Sequence, residues 1–318
     1  MKTRGATWKN SSSETDKSFF WILRKRIMRF PYAGYLLTAP GLILVIQFKL
    51  IPLINGFLLS MQNTRGFEDP KFIGLENYHR MWNDPVVQKT FLHALILIAT
   101  LPIWILLPLI LALLIFQESP GWRFFRATYF LPYIIAPIVV GIMFRQMLAP
   151  EGPLNSFLRA IGLSRFALAW LQGPTSALLS IAAVALWSFF GLGVLTYLSG
   201  LSSIPLDIIE ASKLDGAGFW RMLFSVVLPS IKPMLGYWTV LCSSGVLIWM
   251  FPLVYALSQG GPGISTMLPE YLVFLTTFQF LDRGYGSAIG IVLFLFVALI
   301  TSFSVRYMFQ AGTRGTKS

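Results

Sequence analysis

Apolar runs long enough to cross a bilayer recur along the whole chain. They run from about Tyr35 to Met61, Val87 to Phe116, Tyr129 to Leu148, Ser176 to Leu198, Leu235 to Leu257 and Ser287 to Phe309. Lipid offers no hydrogen-bond partners, so each run must satisfy its own backbone, as a helix does. The expected fold class is therefore all-α: a polytopic integral membrane protein with about six transmembrane helices. Pro40, Pro52, Pro102 and Pro108 fall inside these runs, and partner helices accommodate such prolines in a membrane. Of the 318 residues, 55% are hydrophobic and only 12% charged, about half the charge share of a soluble domain.

The remaining stretches divide the chain. Residues 1–32 form a basic arm with Ser11 to Ser13 near its start, and its Phe19 to Leu23 could lie as a short helix in the membrane interface. The transmembrane domain is expected to occupy 33–309, and 310–318 is a tail. Lys and Arg are unevenly shared: about sixteen fall in the arm, at Arg123 and Arg126, at Lys213, Arg221 and Lys232, and at Arg306, Arg314 and Lys317. About six (Arg65, Lys71, Arg80, Arg159, Arg165 and Arg283) fall in the alternate loops. Positive loops stay inside, so both termini and the loop at 200–233 are expected in the cytoplasm. The same bias accounts for the net charge of +12 without a nucleic-acid partner.

Several chemistries find no support. Cys242 is the only cysteine, so no internal disulfide or cysteine metal cluster can form. No G-x-x-x-x-G-K-[ST] and no H-E-x-x-H occurs. His79 and His93 read as packing or interface residues. The acidic residues, Glu270 and Asp282 among them, all fall in loops or tails. An ion-coupled carrier usually needs a carboxylate inside the membrane, which weighs against that class. An intramembrane enzyme would need a mid-span cluster of acting side chains, and none is visible. Lys49 and Arg145, in or near spans, either snorkel to the interface or line a watery path.

The segment 200–233, GLSSIPLDIIEASKLDGAGFWRMLFSVVLPSIKP, is the longest polar-bearing stretch of the C-terminal half. Pro205 suits a helix start, and Asp207 and Glu210 read as a capping box. Asp215-Gly216 breaks the helix, where Gly216 is expected to need a positive φ. A second helical turn follows through Phe219 and Phe224, closed by Leu228-Pro229. Ile208, Ile209, Leu214, Phe219, Leu223 and Phe224 are free to dock on the membrane domain or on a partner.

Glu210-Ala211-Ser212, Asp215-Gly216-Ala217, Leu228-Pro229 and Pro233 together resemble the EAA loop of ABC-importer permease subunits. Ser212 replaces the usual third alanine and keeps a small residue. Arg126, Leu131-Pro132-Tyr133, Pro137 and Arg145, then Gly152-Pro153-Leu154-Asn155 and Trp170-Leu171, resemble the third span and following loop of sugar-type permeases. Gly260-Gly261-Pro262, Thr266, Tyr271 and Gly286-Ser287-Ala288 extend the likeness over most of residues 35–309. The resemblance, nearest to the maltose-permease-like branch of type I importers, implies a chain without chemistry of its own. Its 200–233 loop would be the coupling helix that meets an ATPase subunit through Glu210, Ala211, Ser212, Asp215, Gly216 and Ala217. It implies no cofactor on this chain, with ATP and Mg held by partner ATPase subunits. The implied partners are a second, different permease chain forming a heterodimer, two ATPase chains, an extracytoplasmic solute-binding protein and membrane lipid in a bacterial inner membrane. The cargo would be an oligosaccharide or related polyhydroxylated solute, with an anionic cargo as an alternative.

No motif marks substrate contacts. Sugars need aromatic faces and hydrogen-bonding groups, which makes Trp187, Trp249, Ser243 and Ser244 pathway candidates. The competing role for these is helix packing through small residues or an interfacial belt. Tyr197, Tyr237 and Trp238, near span ends, read as belt residues.

Overall fold

The structure, a computed structural model, describes residues 33–66, 69–116 and 122–313. The basic arm with its expected interfacial helix, residues 117–121 and the last five residues lie outside the described residues. The chain forms two compact units, 1–56 and 57–318.

α1 (Ala33–Val45) runs through a π turn at Ile46–Leu50 into α2 (Ile51–Ser60), which belongs to the first unit as far as Gly56. Pro52 has no N–H to give the preceding turn, and a π turn is a common local adjustment to that loss in apolar helices. The Ile51 N–H bonds back to the Ile46 carbonyl instead. Lys49 sits in the π turn. Leu36, Leu42, Ile43 and Phe48 are all more than half exposed. A helix apolar on every side is solvated only by lipid or another apolar chain.

The second unit begins with a small hairpin, β1 (Gln62–Asn63) paired antiparallel to β2 (Lys71–Phe72). Next come α3 (Glu76–Trp82), α4 (Pro85–Ala99), α5 (Leu101–Phe116), α6 (Trp122–Ile134) and α7 (Pro137–Met147). After these are α8 (Pro153–Ala160), α9 (Pro174–Leu201), α10 (Leu206–Leu214) and α11 (Phe219–Met222). A π turn at Leu223–Val227 and α12 (Leu228–Ser230) lead to α13 (Lys232–Ile248) and α14 (Phe251–Leu257). α15 (Pro269–Phe274) and α16 (Arg283–Thr313) complete it. Among the described residues, four helices are long and apolar enough to cross a membrane, or up to six spans if each of two bent pairs counts as one.

Two of the expected spans, the third and the fifth, are altered by breaks. The third is two helices, bent by 107° between Ile134 and Pro137. The residue before a proline is pushed away from helical geometry, and Ala136 takes ψ 133. The second expected span is one helix of 32 residues from Pro85 to Phe116. The fifth breaks at Trp249 and Met250, ahead of Pro252 near the start of α14. Its other end bends by 68° at Ile231, so the helix after Phe219 runs past Pro229 rather than ending there.

α9 is the centre of the core, packed on α5 and α6, while α13 lies against α5 and α16, and α14 against α7. Between apolar helices in lipid, close packing rather than the hydrophobic effect holds the pair. Glycines supply it here: a Cβ on Gly141 of α7 would lie 2.6 Å from the Ala256 methyl of α14. Tyr197 and Trp238 are not belt residues. They are 0% and 1% exposed, because each donates to a carbonyl of α5.

At one end, an ion network ties the hairpin loop to the start of α16. Asp282 accepts from Arg65 Nε at 3.2 Å and Arg80 at 2.8 Å. Arg80 also lies 3.7 Å from the centre of the Tyr285 ring, and the Tyr285 hydroxyl donates to Asp84 at 2.7 Å. Asp84 in turn accepts from the Val86 N–H and starts α4.

A candidate coupling segment and a candidate cargo cleft

The 200–233 segment folds as two short helices at a sharp turn. α10 begins after Pro205, the residue at the N-cap, which offers no side-chain hydrogen bond. The capping box is therefore absent. Glu210 is the fifth helical residue, too far along to reach the N-cap, and it is exposed. Asp207 stays in the first turn and Lys213 in the last, each matched to its end of the helix dipole.

The end of α10 explains Asp-Gly-Ala. The Ala217 N–H donates to the Ser212 carbonyl and the Gly216 N–H to the Lys213 carbonyl, both at 3.0 Å. This crossed pair is a Schellman cap, which puts the residue at Gly216 in the left-handed region. Gly216 has φ +73°. A Cβ there would meet nothing within 4 Å, so the demand for glycine inside this chain is conformational and not steric. The Ser212 hydroxyl is spent on the Ile209 carbonyl, which leaves it half-buried and effectively small.

The apolar residues of the segment separate into two sets. Ile209 packs against the core and Leu223 is buried in it. Ile208, Leu214, Phe219, Trp220 and Phe224 are exposed, Leu214 by 89%. The Trp220 ring lies 5.2 Å from Phe219 and stacks on Phe224 at 6.1 Å. An exposed aromatic stack of this kind is the form of an interaction surface.

The breaks in the third and fifth expected spans open a cleft. Its volume is about 580 Å³, within the usual range for small-molecule sites. Tyr133 and Pro137 come from the first break, Trp249, Phe251 and Pro252 from the second, and Ser188 and Phe189 from α9. Trp249 stacks on Phe189 at 6.2 Å and is 43% exposed. Of the four pathway candidates, Trp249 alone lines this cleft. Trp187 packs edge-on against Phe144 at 5.0 Å. Ser243 is buried, bonded to the Val240 carbonyl and 3.4 Å from Ser304 of α16. Ser244 also bonds to the Val240 carbonyl, at 2.8 Å. Both hydroxyls serve their own helix, as serines in apolar helices commonly do.

Sequence reasoning misses Tyr133, Phe189, Phe251 and Pro252 because no periodicity marks a wall built from two helix breaks. Pro137 and Pro252 are the available signals. It also places Glu270 in a surface loop. In the structure α15 packs on α4, α14 and α16, and Glu270 Oε1 is buried. Among the described residues no group of His, Cys, Asp or Glu could hold a metal ion.

Two of the motifs that carry the resemblance to sugar-type permeases are loop braces. The buried Asn155 amide donates to the Ala149, Pro150 and Leu168 carbonyls and accepts from Trp170 Nε1 at 2.9 Å. The Thr266 hydroxyl lies 2.7 Å from the Gly261 carbonyl. A Cβ on Gly260 would press on the Tyr271 ring at 3.1 Å.

The architecture has relatives. The lactose transport system permease protein LacF of Rhizobium radiobacter is 31% identical over 84% of this chain and 91% of its own length. The diacetylchitobiose uptake system permease protein NgcF of Streptomyces coelicolor is 29% identical over 87% of this chain and 84% of its own. A crystal structure of a bacterial ABC transporter that imports the acidic polysaccharide alginate shares the fold. It covers 93% of this chain and 99% of its own, with a TM-score of 0.76 and 23% identity. Residues 78–314 match the family described as binding-protein-dependent transport system inner membrane component. With more than half of its length matched, the chain belongs to that family, as a multi-pass inner-membrane permease.

Proposed function

We propose that this chain forms half of the translocation pathway of an ATP-driven importer for an oligosaccharide or related polyhydroxylated solute. The observation that carries this is the pairing of an aromatic cleft at two helix breaks with an exposed, Schellman-capped segment elsewhere on the unit. The cleft offers ring faces for C–H surfaces and the Ser188 and Tyr133 region for hydroxyls. The sugar cargoes in the names of its relatives, lactose and diacetylchitobiose, support the same class. The family description supports an extracytoplasmic solute-binding protein as partner.

In this reading Glu210, Ala211, Ser212, Asp215, Gly216 and Ala217 meet an ATPase subunit, one of two, each of which holds ATP and Mg. A second, different permease chain supplies the other half. This chain binds no cofactor and is not an enzyme. The Lys and Arg bias puts both termini and α10 in the cytoplasm and the 62–84 loop outside. ATP drives transport by binding the assembly more tightly in one access state than in the other, since equal affinity shifts nothing.

A second reading keeps the machine and changes the cargo. A separate polar cleft of about 380 Å³ is lined by Arg145, Gln172 and Ser258. An exposed guanidinium there suits a carboxylate on an acidic sugar.

Vesicles holding the full importer test both readings. Uptake of labelled oligosaccharide that needs ATP and the binding protein, and ignores an imposed ion gradient, supports the proposal. Uptake driven by the gradient alone overturns it. Uptake confined to uronic-acid oligomers selects the second cargo.

A further inference from the structure

The break in the fifth span leaves backbone donors without a ladder. The Trp249 N–H closes the last turn of α13 on Gly245, and the Val254 N–H makes the first new bond, to Met250. Between them Pro252 has no N–H, and Met250 and Phe251 begin a helix whose first N–H groups have no intrahelical acceptor. These groups sit where the aromatic wall is made, since Ile248, Trp249, Phe251 and Pro252 all line the cleft.

Glu270 comes to this break from outside the span. It lies in the first turn of α15, and its carboxyl faces the backbone N–H groups of Met250 and Phe251. Burial pushes the pKa of this carboxyl up to about 8, and the two N–H groups pull it back down. One of its oxygens, Oε1, is buried and has no partner. A buried acceptor left unpaired is costly, so a chain with only a packing need here would carry an apolar side chain. α15 also holds the ring of the same residue: Phe251 lies 6.0 Å from Tyr271 and 5.0 Å from Phe274. The wall is thus gripped by backbone and side chain from one short helix.

We infer that Glu270 is a positioning residue for the cargo cleft, holding the Trp249–Pro252 break in the register that presents Trp249 and Phe251 to a carbohydrate. It touches no cargo itself. The carbohydrate part rests on the reading above, while the positioning part does not. Loss of the carboxyl acceptor frees the break and moves the wall. A glutamine keeps an acceptor oxygen and keeps the wall.

The test uses the full importer with its ATPase and binding-protein partners, carrying Glu270→Leu or Glu270→Gln. For Glu270→Leu the KM of uptake is expected to rise about tenfold, with basal ATP hydrolysis and capture of the ATPase subunit unchanged; Glu270→Gln is expected to stay within about threefold of the parent. A second readout needs no cargo. In a Cys242→Ser background with Trp249→Cys, a polar thiol reagent is expected to label position 249 at a rate that Glu270→Leu changes several-fold and Glu270→Gln does not. Equal KM and equal labelling in all three chains overturn the inference, as does a glutamine variant as impaired as the leucine one. Where Glu270→Leu fails to assemble, Glu270→Asp, one methylene shorter, carries the same comparison. Altered labelling in an importer that transports no carbohydrate leaves the positioning role standing and overturns the cargo reading alone.

Discussion

Trp238 donates its indole N–H to the carbonyl of Trp104 at 2.9 Å. That carbonyl is four residues before Pro108, which lies inside α5 and has no N–H to bond it. The next carbonyl, of Ile105, accepts from the Tyr197 hydroxyl at 3.2 Å. Gly193 makes room, since a Cβ there would lie 2.6 Å from the Trp238 ring and 2.9 Å from Pro108. Three helices therefore repair one proline.

Trp238→Phe keeps most of the ring and removes the donor. A buried carbonyl left unpaired costs about 1–3 kcal/mol, so the detergent-solubilised chain is expected to unfold at lower temperature. In a Pro108→Ala background the helix bonds that carbonyl itself, and the same substitution is expected to cost less. Equal costs in both backgrounds would refute the repair.

The cleft separates the two tryptophan candidates. Trp249→Ala removes a stacked wall residue and is expected to raise the KM of uptake about tenfold, with ATPase-subunit capture intact. Trp187→Ala loosens the Phe144 contact and is expected to shift KM less than threefold. Uptake curves over a range of cargo concentrations check this, and a larger KM effect at Trp187 would move the cargo path to the α7–α9 contact.

Reporter fusions check the sides. Fusions at Gly74, Gly152 and Gly263 are expected to report outside, and those at Gly216 and Gly315 inside. A cytoplasmic signal at Gly263 would mean that the broken fifth span re-enters on the side it left.

The spans are legible in the sequence because lipid leaves the backbone only one economical form, and 18-residue apolar windows are easily seen. The breaks are only half legible. Pro108 and Pro137 look alike in sequence, yet α5 stays one helix while the third span bends by 107°. The difference is made by Trp238 and Tyr197, more than 80 residues away, which no local pattern encodes. Glu270 is hidden for a related reason. Between the glycine-rich run from Gly260 and the half-apolar stretch from Tyr271 to Leu281 it reads as a loop acid, and only packing on α14 gives it a backbone to meet. The coupling turn is the opposite case: Asp215-Gly216-Ala217 specifies its own cap, so the left-handed glycine can be read directly. Glu210 is misread as a cap because the helix starts one residue after Pro205, which moves every later position along.

We propose that this turn transmits force to an ATPase subunit. Inside the chain Gly216 needs only its φ of +73°, a conformation that costs most residues about 1–2 kcal/mol, β-branched ones most, and asparagine least. Glu210, with no cap to serve, is exposed. The direct measurement is ATP-driven uptake beside capture of the ATPase subunit, for Gly216→Asn, Gly216→Val and Glu210→Lys in inserted, correctly folded chains. Gly216→Asn is expected to retain most uptake, while Gly216→Val and Glu210→Lys are expected to lose both uptake and capture. Full uptake and capture by Gly216→Val and Glu210→Lys would contradict the account and leave the segment a surface linker.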